Sequence, residues 1–573
     1  MSMEYASHPT ITVDGMPLDR TLEPLLERVV VDDHLHLPDM LAITFRDPDR
    51  DVLERSGVRM GSEIRISGTA MGELTDTLLI HGEVTALEGD YGPDGASLTV
   101  RGYDPSHRLV GGRRTTSYRD VTDSDLSRTI ADRAGVPVGQ IDETGISHEH
   151  IPQHNMSDLD FLRMRATEVG FDVSVSDGRL EFRSPPEASD APGVGDYRSA
   201  DPLQLVMGTT LLRFHPRITS AGQVSEVVVR GWDYRSKEAV VGTSPAQTTS
   251  AQLSESPARL AELTGRERFV EIGRAFPDQD AADRAAAAGA ERIASSFAEA
   301  DGVARGNPAL KAGAAVSVSG VAETFSGRYM LTHTRHVFDE AGYRTHLTIS
   351  GRQDRSLLGL SSAASNGVRG GGGQALIGFA VAIVTDNADP DDLARVKLKF
   401  PTFDEEYESD WARVVQQGAG PDRGFVALPE VNDEVLVGFE SGDIRRPYVI
   451  GGLWNGVDSP PLGDSLFDSG NVRRRGFVSK AGHRMVFLDD DAQSGVALLT
   501  ADDSIRIGMK QSDRELTIHS DGSTSIVAGD IVLESGGDIT LKAGGTLTLE
   551  GGANVRIKAG GTVDIDGALI ELN

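Results

Sequence analysis

The sequence of 573 residues predicts a mainly β, multidomain fold that ends in an intertwined trimeric β-helix. Short runs of alternating apolar and polar residues, bounded by Gly, Pro and Asp, predict strands over most of the first 456 positions. The apolar fraction of 39% is typical of globular proteins. From Gly529 onward one pattern returns every eight positions, which is typical of a stacked repeat fold.

The bulk composition excludes several classes of function. The net charge is −31, from 87 acidic and 56 basic residues, which argues against nucleic acid as a partner because phosphate binding needs clustered Lys and Arg. The chain contains no cysteine, which excludes disulfides, thiolate metal sites and cysteine nucleophiles. Residues Met1–Val13 lack the basic and apolar segments of a secretory signal, so we expect no signal peptide. We also expect no membrane-spanning helix, because no run of about 18 apolar residues exists.

Residues 1–115 are predicted to form mostly strands. The alternating runs are Thr10–Val13, His34–Leu37, Leu41–Phe45, Glu63–Ser67, Thr77–Val84 and Ser97–Tyr103.

Residues 116–199 switch to a mixed α/β pattern. A helix is predicted over Asp123–Ala134. Ser157 followed by Asp160 predicts the capped start of a second helix, and Gly170 predicts its end. A hairpin is predicted from Phe171 to Phe182.

Residues 200–359 return to strands, interrupted by one long Ala-rich helix predicted over Gln279–Ala300. Residues 360–374 are rich in Gly and Ser, and we predict the main domain boundary at this linker. The clearest strands are Ser225–Gly231, Ala314–Ser319, Arg328–Val337 and Tyr343–Gly351.

Residues 375–456 are predicted to form a small β-barrel. Val396, Leu398 and Phe400 alternate with polar residues on one run, and Val435, Val437 and Phe439 lie on a later strand-like run. The residues that characterise this unit are Pro401, Trp411, Pro421, Gly424, Pro429, Gly438, Pro447 and Trp454.

The C-terminal repeat predicts an assembly of several copies. Apolar–polar–apolar alternation predicts a strand with one buried face, and paired glycines provide the turn between strands. Eight residues are too few for one chain to enclose a core, since single-chain coils need roughly 20 or more. The apolar pairs are therefore predicted to pack against other copies, forming a trimer core of Ile531, Leu533, Ile539, Leu541, Leu547, Leu549, Val555, Ile557, Val563 and Ile565.

The barrel unit resembles the OB-fold module of phage baseplate spike proteins and of the valine–glycine repeat protein G (VgrG) family. The resemblance rests on RVKLKFP at 395–401, GPDRGF at 420–425, LPEVNDEVLVGF at 428–439 and GGLWNG at 451–456. The first 355 residues resemble the hub of the same family, the late control protein D region. The matching segments are SDLDFL at 157–162, GNP at 306–308, FSGRY at 325–329 and GY at 342–343, with His336.

The resemblance implies two hub β-barrels with α/β insertions, an OB-fold collar and a spike. The domains it predicts are 1–115, first hub barrel; 116–199, hub insertion; 200–359, second hub barrel; 360–374, linker; 375–456, OB-fold collar; 457–480, connector; and 481–573, β-prism spike.

The resemblance also implies a structural function. Three copies would adapt a six-fold tail tube to a three-fold, membrane-puncturing spike in a contractile injection machine. The implied partners are tube and baseplate proteins at the hub and a PAAR-type tip protein at the C-terminal end, around Ile570, Leu572 and Asn573. Assembly would occur in the cytoplasm, into a phage-tail-like particle that is then released or fired at a target envelope. A phage tail, a type VI secretion system and an injection particle all remain compatible with the sequence.

The alternative to a structural spike is a glycan-degrading tailspike enzyme with a β-helix. The eight-residue period and the aromatic content of 5% favour the structural interpretation. The connector has about 24 residues, whereas an inserted lysozyme would need over about 100, and the chain ends directly after the last repeat. We therefore expect no enzymatic activity and no cofactor.

Three groups of histidines are candidate metal ligands: His34 with His36, His148 with His150 and His154, and His333 with His336. No group supplies the three or four ligands of a zinc site locally, so we expect hydrogen-bonded or surface histidines. The acidic runs 489–491 and 502–503 lack the spacing of a calcium loop, and we expect solvated turns there.

Overall fold

The computed structural model describes residues 8–571 except 71–72, 94, 196–200, 234–235, 272–275, 277, 353–377, 404, 441–445, 464–465, 469 and 490–492. The predicted linker 360–374 and the tip residues Leu572 and Asn573 lie outside the described residues. The chain forms two compact units, Met1–Ser459 and Pro460–Asn573. The domain boundary predicted at the linker 360–374 falls on residues outside the described ranges and stays a prediction. No helix in the described ranges is long and apolar enough to cross a membrane.

The first unit begins with a strand-rich segment and an α/β insertion. The first segment contains β1 Thr10–Val13, β2 Met16–Pro17, β3 Leu26–His34, β4 Met40–Arg46, α1 Val52–Ser56, β5 Glu63–Gly68, β6 Thr77–Gly92, β7 Gly95–Tyr103 and α2 His107–Val110. The insertion contains β8 Arg114–Thr122, α3 Asp123–Ala134, β9 Val138–Ile141, β10 Ser147–Met156, α4 Asp158–Val169, β11 Asp172–Ser176 and β12 Arg179–Arg183.

The second strand-rich segment follows the insertion. It contains β13 Gln204–Val206, β14 Leu211–Ile218, β15 Glu226–Asp233, β16 Glu238–Pro245, β17 Ala251–Gln252, α5 Pro257–Thr264, β18 Arg268–Glu271, α6 Gln279–Ser295, β19 Ala298–Arg305, β20 Ala315–Ser319, β21 Gly327–Met330, β22 His333–Asp339 and β23 Gly342–Ile349.

One eleven-stranded sheet joins the two strand-rich segments, in the order β14-β19-β23-β22-β3-β4-β7-β6-β5-β1-β2. The junction is the antiparallel pair β22 and β3, where Val337 lies opposite Val30. The larger core under this sheet contains Leu41, Ile64 and Ile66, all 0% exposed. The hub strands thus form a continuous sheet, and their division into two barrels stays a prediction.

The helices of the insertion agree with those predicted from its sequence. Helix α3 spans the predicted residues, and Ser157 caps α4 by accepting the Asp160 N–H at 3.1 Å. Gly170 ends α4 with φ 74°, a left-handed conformation that favours glycine.

Two other predictions need correction. The strand predicted over His34–Leu37 is wrong, because β3 ends at His34 and a turn follows. The helix predicted to run to Ala300 ends at Ser295, because Ala298–Arg305 pairs with β14 and β23 instead.

The collar, residues 378–456, is a closed barrel in the order β24-β25-β26-β30-β29. Val396, Leu398, Phe400, Val435 and Val437 are 0% exposed, which confirms the predicted inward faces. Its elements are β24 Phe379–Asp386, β25 Arg395–Lys399, β26 Ala412–Val414, the hairpin β27 Ala419–Gly420 with β28 Arg423–Gly424, β29 Glu434–Phe439 and β30 Pro447–Gly452.

The second unit contains a short hairpin, a five-stranded antiparallel sheet and the repeat tail. The sheet begins at Arg474, within the predicted connector 457–480. No strand is assigned over residues 521–571. The hairpin is β31 Phe467–Asp468 with β32 Asn471–Val472, and the sheet is β33 Arg474–Val478, β34 Arg484–Leu488, β35 Gly495–Leu499, β36 Ile505–Lys510 and β37 Glu515–Ser520. The mainly β, multidomain class is confirmed.

Candidate functional site

The repeat tail exposes every apolar side chain that the sequence predicts to be buried. The ten predicted core residues are 49–71% exposed, with Val563 the least and Leu533 the most. Fully burying one such side chain is worth ~1.5–3 kcal/mol, so this regular row is unfavourable in water. Within one chain, these ten side chains remain uncovered. Ile570, at the predicted tip, is 49% exposed as well.

The sheet before the tail is also largely uncovered. Among the described residues of the second unit, Val486 is the one buried hydrophobic residue. Phe477, Leu516 and Ile518 are 54–63% exposed. Gly476 and Gly495 allow the strands to approach closely, since a Cβ there would lie 2.3 Å and 2.1 Å from neighbouring carbonyl oxygens.

The characteristic collar residues occupy turns and edges of the barrel. Pro421 lies in the turn of the β27–β28 hairpin, and a Cβ on Gly424 would lie 2.4 Å from the Gly418 oxygen. Trp411 contacts two cations, with Lys397 Nζ 5.4 Å and Arg395 Cζ 6.0 Å from its ring. The other characteristic residues lie as follows: Pro401 two residues after the end of β25, Pro429 before β29, Gly438 in β29 opposite Tyr448, Pro447 at the start of β30, and Trp454 on the surface at 65% exposure.

A polar clamp joins strand β15 of the hub to the collar. Arg230 Nε donates to the Pro401 oxygen at 2.9 Å, although Arg230 is only 7% exposed. Trp232 Nε1 donates to Glu434 Oε1 at 3.0 Å, and Glu434 is 3% exposed.

The β15–β16 turn adds a third contact to this clamp. Lys237 donates to the Asn432 oxygen at 2.6 Å and forms an ion pair with Asp458. In these contacts the hub supplies the donors and the collar supplies the acceptors, which favours one docking register. Pro401 and the NDE segment at 432–434 stand out in the sequence, but their partners in the hub do not. The one available signal for these partners was that Arg230 and Trp232 lie two positions apart on one strand, and therefore on the same face of it.

Two of the hub segments that carried the family resemblance, 306–308 and 342–343, lie close to the buried His336. His336 Nδ1 lies 2.8 Å from the Tyr343 hydroxyl, and its Nε2 lies 3.1 Å from the Leu310 oxygen. Burial lowers the pKa of His336 to about 3, so the ring is neutral at physiological pH. A Cβ on Gly306 would lie 2.0 Å from the Tyr343 ring, so only glycine fits there. These residues form a packed core site that orders the hub.

A cavity of about 50 Å³ lies between the first hub strands and the β11–β12 hairpin. Its wall includes Asp33, Asp39 and Asp104, together with Lys311. Burial raises the pKa of Asp33 to about 6 and that of Asp104 to about 7. Burial and the neighbouring carboxylates also hold the pKa of Asp39 well above its usual range. Three buried carboxyl groups with raised pKa therefore line this cavity together with Lys311.

The candidate histidines whose side chains the structure describes lie in hydrogen bonds or ring contacts, whereas the side chains of His150 and His154 lie outside the described ones. His34 and His333, separate in sequence, have ring centroids 5.1 Å apart, and His333 Nε2 lies 3.0 Å from Asp32 Oδ1. His148 Nε2 lies 3.0 Å from the buried carboxylate of Asp123, which Arg165 also binds. Among the described residues no group of three His, Asp or Glu is arranged to hold a metal ion.

Comparison with protein families matches two parts of the first unit. Residues 380–454 match the model of the type VI secretion system/phage-baseplate injector OB domain. Residues 59–340 match the model of the Alg8 N-terminal domain.

Curated relatives match a short part of the chain. The type VI secretion system spike protein VgrG2a of Pseudomonas aeruginosa is 31% identical over 116 residues, which cover 19% of this chain and 14% of the relative. The type VI secretion system spike protein VgrG3 of Vibrio cholerae is 31% identical over 115 residues, covering 19% of this chain and 11% of the relative. The actin cross-linking toxin VgrG1 of Vibrio cholerae is 37% identical over 75 residues, covering 12% and 7%. The alignments thus span less than a sixth of these relatives.

Solved structures that align with this chain include a prophage tail protein and a component of a type VI secretion system. The 43 kDa tail protein of prophage MuSo2 from Shewanella oneidensis aligns over 60% of this chain and 98% of its own, at 12% identity and a TM-score of 0.46. The Escherichia coli c3393 component of the type VI secretion system aligns over 77% of this chain and 99% of its own, at 19% identity and a TM-score of 0.35.

Proposed function

Because this chain belongs to the family of VgrG spike proteins and phage-baseplate hubs, we propose that three copies of it form the hub and spike of a contractile injection machine. The observation that carries the proposal is the repeat tail, whose ten regularly spaced apolar side chains are all 49–71% exposed in one chain. Two further copies supply the cover that this row needs. Each repeat then buries two apolar side chains per chain, or six per layer of the trimer.

The proposed action is mechanical. Contraction of a sheath drives a tail tube, and this protein leads the tube into a target envelope. The clamp of Arg230, Trp232 and Lys237 supports this role, because it fixes the collar to the hub in one compact unit. The hub would contact the six-fold tube and other baseplate proteins, and the tail would present a three-fold point. Each repeat advances one strand spacing of ~4.8 Å, so five repeats give a spike of roughly 25 Å.

The short length of the proposed spike favours the presence of a second protein at its end. We propose that a PAAR-type tip protein caps the end of the tail, where Ile570 is exposed. Assembly takes place in the cytoplasm, and the particle is then released or fired. Deleting residues 529–573 should abolish co-purification of the tip protein, and unchanged co-purification would refute the tip assignment. The protein is proposed to have no catalytic activity, and release of fragments from peptidoglycan or host polysaccharide would contradict this.

A matched pair of charged substitutions tests the trimeric tail. Ile539→Asp places three carboxylates in one apolar layer, where unpaired charges are strongly unfavourable. Thr540→Asp places the same charges on the alternate face of the strand. Light scattering after size-exclusion chromatography should show loss of the trimer for Ile539→Asp and retention for Thr540→Asp. Equal behaviour of the two variants would contradict the proposed packing.

A further inference from the structure

The ribbon formed by β8 and β10 leaves one edge of β8 open. These strands form a two-stranded sheet, from Arg114 opposite Met156 to Thr122 opposite Ser147. In the part of the chain that the structure describes, no other strand pairs with β8. Residues 111–120 are exposed except Tyr118, which is half-buried. The edge is therefore accessible to an incoming strand.

Pro152 determines which backbone groups of β8 point toward the open edge. Pro152 lies opposite Ser117, and proline has no N–H to donate in a hydrogen-bonded pair. Ser117 therefore occupies a non-hydrogen-bonded position, and its N–H and C=O point away from β10. Alternation along the strand gives Thr115 and Arg119 the same orientation. Three successive outward positions suit the addition of another strand.

The two faces of β8 have different roles. Tyr118 stacks on Phe161 with ring centroids 5.9 Å apart, so this face packs on helix α4. Arg114 lies on the same face, 3.5 Å from Asp158. The opposite face, which is exposed, presents Arg113, Thr115, Ser117 and Arg119. The solvent side of the open edge is thus polar and carries an arginine at each end.

The edge is a basic island on an acidic protein. Residues 105–119 contain four arginines and no acidic residue, although the chain has 87 acidic residues in 573. Two of these arginines are paired, Arg108 with Glu83 and Arg114 with Asp158. Arg113 and Arg119 form no ion pair with the carboxylates of the described residues. Arg113 donates to the Asn155 oxygen at 3.3 Å. Two arginines at the edge are therefore available to an acidic partner.

We propose that the open edge of β8 is a docking strand for an acidic, extended segment of another protein, which adds to β8 as a third strand. Main-chain hydrogen bonds at Thr115, Ser117 and Arg119 supply the affinity, and Arg113 and Arg119 select carboxylates. The two arginines lie six positions apart, so matching carboxylates lie about 20 Å apart along the partner strand. This surface lies outside the collar and the repeat tail, and it extends the proposed function by a partner of defined chemistry.

Synthetic strand peptides test the proposal on the full-length protein. One peptide alternates Glu and Val, and the second replaces each Glu by Lys. Fluorescence anisotropy should show at least tenfold tighter binding of the acidic peptide. Ser117→Pro removes an outward N–H and should weaken binding about tenfold or more, whereas Ser117→Ala keeps that N–H and should not. N-methylation of alternate amides in the acidic peptide should have the same effect as Ser117→Pro, without any change in the protein.

Several outcomes would overturn the proposal. Equal binding of both peptides would contradict the proposed selection of acidic segments by the two arginines. Tight binding of the N-methylated peptide would contradict the proposed addition of a third strand. A single-stranded oligonucleotide that binds as tightly as the acidic peptide would make the edge a general anion surface. A change in particle mass caused by Ser117→Pro would assign the edge to a second copy of this chain.

Discussion

The repeat tail offers a sensitive pair of substitutions, Leu541→Ala and Thr540→Ala. Leu541 belongs to the predicted apolar row and is 60% exposed in one chain. Burying that share of a leucine contributes about 1–2 kcal/mol, scaled from ~1.5–3 kcal/mol for full burial. Because a trimer places three copies in one layer, Leu541→Ala should cost about 3–5 kcal/mol per trimer. Thr540 lies on the alternate face, so Thr540→Ala should cost little.

The assay is the half-life of the trimer in denaturant. Since about 1.4 kcal/mol corresponds to a tenfold change in rate, Leu541→Ala should shorten the half-life by about two to three and a half orders of magnitude when the layer opens in the slow step. The surviving trimer is counted on gels at successive times, with Thr540→Ala as the control. Indistinguishable half-lives for the two variants would refute the assignment of the Ile539–Leu541 pair to a buried layer.

Three substitutions test the first unit through its thermal midpoint. Gly306→Ala should lower the midpoint, because its Cβ would lie 2.0 Å from the Tyr343 ring and overpacking costs ~1–3 kcal/mol; an unchanged midpoint would show that the ring can move aside. Trp232→Phe should also lower it, because it removes the donor at 3.0 Å from the buried Glu434 carboxylate; limited proteolysis should then separate hub from collar, and resistance equal to wild type would count against the clamp. Asp104→Asn should raise the midpoint at pH 8, and this effect should disappear toward pH 4. Burial raises the pKa of the Asp104 carboxyl in the folded state to about 7, so the stability of the wild-type protein falls as the pH rises toward that value. The same change in midpoint at pH 8 and pH 4 would exclude titration of Asp104.

Local signals predicted the elements that depend on a few neighbouring residues. The α3 helix, the Ser157 cap and the inward faces of the collar follow from capping and alternation, and the structure confirms them. The collar was also the most specific part of the resemblance, and its residues match the injector OB domain.

Local sequence signals did not predict which strands pair when they are far apart in the sequence. The pairing of β22 with β3 joins residues about 300 positions apart, and no local pattern encodes it. The end of α6 was placed too late because alanine favours helices, while pairing with β14 and β23 draws Ala298–Arg305 into a strand. The clamp and the acidic cavity were missed for the same reason, since their members come from distant parts of the chain.

The repeat tail shows the opposite case, in which the sequence pattern is clear and one chain cannot satisfy it. Its apolar period predicts buried strands, while residues 521–571 form no assigned strand and remain exposed. The proposed trimer accounts for this difference, because eight residues per repeat are too few for one chain to enclose a core.

The mass of the full-length protein in solution tests this account most directly. Light scattering coupled to size-exclusion chromatography should give three times the chain mass of 61.1 kDa, about 183 kDa, at micromolar concentration. The same mass should persist on dilution, because the proposed packing buries the apolar rows of the tail between copies. A stable species of 61.1 kDa would contradict the trimeric spike.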